Sequence, residues 1–153
     1  VEEFDAIIIG AGQAGPFLGA RLAEAGRPLA LIEREHLGGT CVNAGCTPTK
    51  TMAASARVAH LARRAAGYGV NLAGPVLVEM AAVIARKNSV VNGAVRGLTK
   101  GLAGMLNMTV LMGAAHFTGP RTVAVADRVL RAPQVFINTG GWRTSRGLSA
   151  CRI

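Results

Sequence analysis

Apolar and polar positions change period several times along the chain. Phe4 to Ile9 (FDAIII) is an apolar run of strand length. After Gly10 the spacing becomes helical, with Phe17, Leu18, Leu22 and Ala25 on one face. Pro16 falls in the first turn, where a missing N–H does little harm, and Gly26 ends the helix. The run Pro28 to Ile32 predicts a second strand, closed by Glu33. Thr49 to Ala66 is Ala-rich, with Met52, Ala56, Ala59 and Leu61 at helical intervals after a break or start at Thr47-Pro48-Thr49. Gly67 to Pro75 reads as a turn-rich connector. From Val76 to about Leu106 a long helix is predicted, with Val83, Ile84, Val91, Val95, Leu98, Leu102 and Leu106 apolar. Gly93, Gly97, Gly101 and Gly104 weaken it by up to ~1 kcal/mol each, so it needs partners. Period two then takes over. Met108–Met112, Thr122–Ala126, Arg128–Arg131 and Gln134–Asn138 read as short strands, with turns at Gly119-Pro120 and Ala132-Pro133.

Composition narrows the class. In a chain of 153 residues, half are hydrophobic but only 4% are aromatic, so burial must come from aliphatic side chains. No run of about 18 apolar residues exists, which argues against a membrane helix. The start, VEEFDAIIIG, is acidic and then apolar, opposite in order to a signal peptide, and a cytoplasmic chain is expected. The net charge of +9 raises nucleic-acid binding. Yet Arg57, Arg63, Arg64, Arg86, Lys87, Arg96 and Lys100 are scattered along predicted helices without interleaved aromatics. They read as solvated faces, and neither a nucleic-acid nor a membrane partner is expected.

Two stretches carry chemistry. Gly10-Ala11-Gly12-Gln13-Ala14-Gly15 is GxGxxG, set between the first strand and the first helix. Gly10 permits the tight turn, Gly12 lets a pyrophosphate approach the backbone, and Gly15 lets helix and sheet pack closely. The anion would then sit at the positive end of the helix dipole. Glu33, 18 residues after Gly15, ends the second strand where an acid accepts hydrogen bonds from a ribose diol. This is a βαβ dinucleotide fingerprint.

The second stretch, Gly38 to Lys50, reads GGTCVNAGCTPTK and holds Cys41 and Cys46. On a regular helix such a pair is ~7.5 Å apart along the axis. A disulfide wants Cα atoms within roughly 4.4–6.8 Å. A bridge would therefore need a distorted turn, which Gly45 permits, and so small a loop suits a reactive bridge better than a structural one. A zinc site would need a second ligand pair, which is not present, and no metal site is expected. His60 and His116 read as exposed or structural side chains.

GGTCVNAGCTPTK resembles the redox-active disulfide segment of the FAD-dependent pyridine nucleotide-disulfide oxidoreductases, which include dihydrolipoamide dehydrogenase, glutathione reductase and mercuric reductase. GAAHFTGPRTVAV from Gly113 resembles the strand and turn that return to the FAD site, and VFINTG (135–140) the element beside the flavin's phosphates. The resemblance implies an α/β fold, a Rossmann-like doubly wound FAD-binding domain, partial here, with a three-stranded β-meander. It implies that Cys46, at a helix N-terminus, is the thiolate facing the flavin and that Cys41 attacks substrate. Gly10, Gly12, Gln13, Ala14, Gly15 and Glu33 would contact the cofactor from the first βαβ unit. Gly39, Thr40 and Lys50 would do so from the disulfide segment, and Ala115, Thr139 and Gly140 from the last third. It further implies FAD as cofactor, NAD(P)H as co-substrate, a small-molecule or metal-ion substrate, and a homodimer.

CTPTK and TMAASARVAHLARRAAGYGV look closest to the mercuric-reductase-like branch. A dihydrolipoamide dehydrogenase-like or glutathione reductase-like fragment, a nucleotide-binding module without turnover, and a basic interaction protein are the alternatives. Residues 1–141 are assigned to the N-terminal part of the FAD-binding domain. The tail 142–153, WRTSRGLSACRI, is expected to be aberrant or disordered. No second nucleotide fingerprint follows, and the chain alone is expected to turn nothing over.

Overall fold

A computed structural model describes residues 1–141 of the chain. The expectation for 142–153 lies outside the described residues. The elements are β1 (Glu2–Glu3), β2 (Ala6–Ile9), α1 (Ala14–Glu24), β3 (Leu29–Glu33), α2 (Gly39–Asn43) and α3 (Cys46–Arg63). A 3-10 turn (Ala65–Tyr68) and α4 (Met80–Ala103) follow, then β4 (Met108–Met112), β5 (Ala115–Gly119), β6 (Thr122–Val125), β7 (Arg128–Arg131) and β8 (Gln134–Ile137).

β4, β3, β2 and β8 form a parallel sheet in that order, with Ile7 opposite Ala30 and Val135. Its central strands are buried on both faces, which is why they read as unbroken apolar runs. Ala6, Ile8, Leu29 and Leu31 face the helices, where Leu18, Leu22, Ala23, Leu98 and Leu102 cover them. Ile7, Ala30 and Ile32 face the other way, onto Val123, Val125 and Leu130 of the antiparallel meander β5–β6–β7. The fold is thus the α/β architecture expected, with its parallel sheet and three-stranded meander.

A fourth strand joins the meander. β1 pairs in parallel with β7 through backbone bonds, and its two acids meet Arg128 and Arg131, so no apolar pattern announces it. The Arg128 hydrogen bond holds the Glu2 carboxyl below its usual range.

Three helical expectations need correction. Of the four residues expected on one face of α1, Phe17 is 73% exposed and Ala25 is exposed just past the helix end; Gly15, Pro16, Gly19 and Ala23 are buried instead. α3 starts at Cys46 rather than Thr49, with Pro48 inside the first turn where its missing N–H has no intrahelical role. Its inward side is Thr51, Ser55, Ala59 and Ala62, small residues that let α4 approach, while Met52 and Leu61 are exposed. Arg86 fastens the two helices, donating from Nη1 to the Thr51 carbonyl at 2.9 Å. α4 begins at Met80, not Val76, after an extended Glu79. Val83, Val91, Val95, Leu98 and Leu102 turn inward as expected, but Ile84 is partly exposed and Leu106 is 85% exposed. Of the scattered cations, Arg57, Arg63, Arg64, Arg96 and Lys100 are exposed, as solvated faces require; Lys87 is half-buried, and Arg86, although exposed, is the one that bonds α3. Among the described residues, no helix is long and apolar enough to cross a membrane.

Candidate functional site

The site forms where β2 ends against β8. Gly10 N–H donates to the Ile32 carbonyl at 2.7 Å, and its φ of +105° turns the chain out of the sheet. A Cβ there would stand 2.2 Å from the Asn138 carbonyl oxygen. Gly15 is equally constrained, since a Cβ would stand 2.1 Å from the Gly10 oxygen. Gly12 differs: among the described residues, only the Asn138 amide nitrogen, at 3.9 Å, comes near the place of its Cβ. α1 follows at Ala14, and the side chain of Gln13 at its cap position does not bond the first N–H groups of the helix.

Glu33 reaches this loop. One carboxylate oxygen accepts from Ala11 N–H at 2.8 Å and the other from Glu35 N–H at 2.9 Å. The cysteine segment is stacked on the same loop. Gly38 N–H donates to the Ala11 carbonyl at 2.8 Å, and Gln13 Nε2 donates to the Gly38 carbonyl at 3.4 Å. Gly39, with φ +57°, lies so close that its Cβ would meet the Gly12 Cα at 2.9 Å.

α2 then carries Thr40 and Cys41, held by Asn43 Nδ2 donating to the Leu37 and Gly39 carbonyls at 3.0 and 2.9 Å. Gly45 closes the distance between the cysteines. A Cβ on it would stand 2.9 Å from the Thr40 oxygen and 3.3 Å from the Cys41 Cα. The chain therefore turns directly over Cys41 and starts α3 at Cys46. This is the distorted turn that the spacing demanded. Both cysteines are thiols, Cys41 half-buried and Cys46 exposed. The Cys41 thiol is pushed above its ordinary range by its hydrogen bond with the Cys46 side chain, then by desolvation and by charge on Cys46. The Lys50 ammonium, one turn along α3, acts in the opposite sense.

Of the residues expected here, Gly10, Gly12, Gln13, Gly15, Glu33 and Gly39 are brought together, with Ala14 beginning α1. Thr139 joins them, its nitrogen 3.2 Å from the place of a Gly10 Cβ. Ala115 starts β5, two residues after Gly113, whose N–H donates to the Glu33 carbonyl at 2.8 Å. Thr40 and Lys50 belong to the cysteine turn, and among the described residues no atom comes near the place of a Cβ on Gly140 (φ +75°). His60 and His116 are exposed. Two residues were missed. Gly38 is one, and its doublet with Gly39 was the available signal. Asn138 is the other; its amide donates to the Gly10 carbonyl at 3.3 Å, a contact between residues far apart in sequence.

Residues 4–150 match the family described as pyridine nucleotide-disulphide oxidoreductase. The chain belongs to that family. The match runs past Gly141, where the recognisable motifs end. This is a family of oxidoreductase enzymes that use FAD and NAD(P)H. A dihydrolipoyl dehydrogenase of Acholeplasma laidlawii is 33% identical over 142 residues, covering 91% of this chain and 41% of that one. One of Chlamydia pneumoniae is 34% identical over 142 residues, 91% of this chain and 30% of its own length. Among solved structures, the HOCl-induced flavoprotein disulfide reductase RclA of Escherichia coli is 35% identical with a TM-score of 0.73, over 92% of this chain and 29% of that one. Its Cu(II) complex matches with 34% identity and the same TM-score of 0.73. The chain thus spans 41% and 30% of the lengths of these two curated relatives. The relatives show the family; they do not show the mercuric-reductase-like branch.

Proposed function

We propose that this chain is the FAD-binding, disulfide-bearing segment of an NAD(P)H-dependent disulfide reductase, with Cys41 and Cys46 as the redox pair. One observation carries the reading: the cysteine segment is seated on the GxGxxG loop itself, Gly39 against Gly12. The loop that would hold a dinucleotide and the segment that carries the thiols are thus packed on one another.

The residues fit the cofactor. The described residues leave open the space over Gly12, while they fill the space over Gly10 and Gly15. That opening lies at the uncapped start of α1, where N–H groups and the helix dipole favour a pyrophosphate. The Glu33 carboxylate, held by Ala11 and Glu35 N–H groups, keeps lone pairs for a ribose diol. Bound FAD supplies hydride acceptance from the nicotinamide and two-electron delivery to a neighbouring disulfide.

The cysteines do the rest. Two electrons and two protons convert the Cys41–Cys46 disulfide to the dithiol. The Cys41 thiolate then attacks one sulfur of a substrate disulfide, and the other leaves as a thiolate that takes a proton. Cys46 attacks the Cys41 sulfur of the mixed disulfide, re-forming the internal bridge and releasing the second substrate thiol. Cys46 takes the flavin-facing position at the first residue of α3, an 18-residue helix whose N-terminus is the positive end of its dipole. Lys50 adds a cation beside the pair.

The dihydrolipoyl dehydrogenases among the relatives favour a small dithiol/disulfide substrate. A second reading, a metal-ion substrate held by both sulfurs, is favoured by the Cu(II) complex of the RclA relative and by the CTPTK segment. One turnover separates them. Chain reduced with dithiothreitol and desalted is mixed with lipoamide, and thiols are counted by mass spectrometry. The disulfide reading expects the 38–50 peptide to lose two hydrogens as dihydrolipoamide appears in equal amount. A pair that stays reduced with lipoamide, and under oxidant, or that holds zinc instead, would refute the redox role.

A further inference from the structure

We propose that Asn138 is a further cofactor-binding residue: one amide proton holds the Gly10 carbonyl, and the other serves the dinucleotide's pyrophosphate over Gly12. This rests on the dinucleotide reading above.

Pairing of β8 with β2 runs through Ile137 opposite Ile9, and Asn138 N–H extends it to the Ile9 carbonyl at 2.7 Å. Asn138 therefore stands beside the turn at Gly10. Its side-chain nitrogen is 3.3 Å from the Gly10 oxygen, 3.2 Å from the place of a Gly15 Cβ and 3.9 Å from that of a Gly12 Cβ. It sits among all three glycines of the fingerprint. The acceptor at Gly10 decides the orientation of the amide, because the opposite end would set oxygen against oxygen.

A primary amide nitrogen carries two donors, and a carbonyl takes one of them. Among the described residues, the Gly10 carbonyl is the one acceptor recorded for it. The remaining proton belongs to a half-buried group beside Gly12, the one fingerprint glycine whose space the described residues leave open. It also lies at the N-terminal end of α1, where an anion gains from both the dipole and free N–H groups. A neutral donor at this place strengthens the anion site. A carboxylate of the same shape would oppose it.

The test is NMR titration of the 153-residue chain, wild type, Asn138→Ala and Asn138→Asp, with FAD, ADP and adenosine. Asn138→Ala is expected to weaken FAD and ADP by roughly tenfold, the scale of one hydrogen bond to a charged group. Asn138→Asp is expected to weaken both further, through repulsion of the phosphates. Adenosine, which has no phosphate, is expected to bind all three proteins alike. Asn138→Ser, a smaller donor, keeps the comparison open should Ala fail to fold, and is expected to restore part of the ADP affinity. If adenosine weakens in step with ADP, Asn138 merely pins the loop and the inference is overturned. It is equally overturned if ADP binds wild type and Asn138→Ala alike. Wild type that binds neither FAD nor ADP contradicts the dinucleotide reading itself, a distinct result.

Discussion

Around the end of β2, Gly10 and Gly15 stand where the protein leaves no room for a Cβ; along α4, Gly93, Gly97 and Gly101 stand where none of the described residues outside the helix is near. A Cβ on Gly10 or Gly15 would lie 2.2 or 2.1 Å from a backbone oxygen. At Gly93, Gly97 and Gly101 no atom of the described residues, beyond the adjoining helix backbone, comes within 4 Å of the place of a Cβ. The same division runs through the packing. Ala6 to Ile8 and Leu29 to Ile32 are buried on both sheet faces, whereas α3 buries only Thr51 and α4 only Leu102. Met52, Val58, Leu61, Ile84 and Val90 of these helices are exposed. The nucleotide-binding half is closed by its own core, and the helical hairpin is fastened along one line. Substitutions in the two halves should therefore differ in sign as well as size.

Gly15→Ala should be the most damaging. Its new methyl would strike the Gly10 backbone oxygen, which cannot swing aside as a flexible side chain would, and a loss of about 3 kcal/mol or more is expected. The urea midpoint measures it. An unchanged midpoint would mean that α1 can slide on the sheet, and the contrast between the halves would fail.

Gly97→Ala should act oppositely. With open space around it, the substitution gains helix propensity, about 0.5–1 kcal/mol, and raises the midpoint. A lowered midpoint would show that the outer face of α4 is already in contact with something.

The cysteine turn joins the halves, and its electrostatics can be read by alkylation. Cys41 is raised by its hydrogen bond to Cys46, so its thiolate fraction stays low until the pH exceeds the ordinary thiol range. Cys46→Ala removes that cause, and iodoacetamide labelling of Cys41 should then begin at lower pH. Lys50→Ala removes the opposing cation and should move the onset upward. Two shifts in one direction would contradict the arrangement.

What the sequence made legible follows from what is local. β2 and β3 were readable because burial on both faces leaves no polar position, and the glycine spacing because turn, approach and packing act within a few residues. α2 was not, since GTCVN is too short to show a period and is held by Asn43 and by the loop beneath it. The inward face of α3 was not legible, because helical spacing marks Met52, Ala56, Ala59 and Leu61 alike, and Met52 and Leu61 are exposed. Close approach of α4 selects small residues on that face instead. β1 carries two acids and pairs through its backbone, so hydropathy passes over it. Asn138 illustrates the remaining limit. Its place beside Gly10 exists only after β8 has docked on β2, and one sequence does not record that neighbourhood.

The central claim, that the opening over Gly12 receives the pyrophosphate of FAD, is tested most directly by a fluorescence titration of FAD into wild type and Gly12→Val. The valine side chain would enter space that the protein does not use, so the urea midpoint should hold while FAD affinity collapses. Equal, saturable FAD binding by the two proteins would contradict the account.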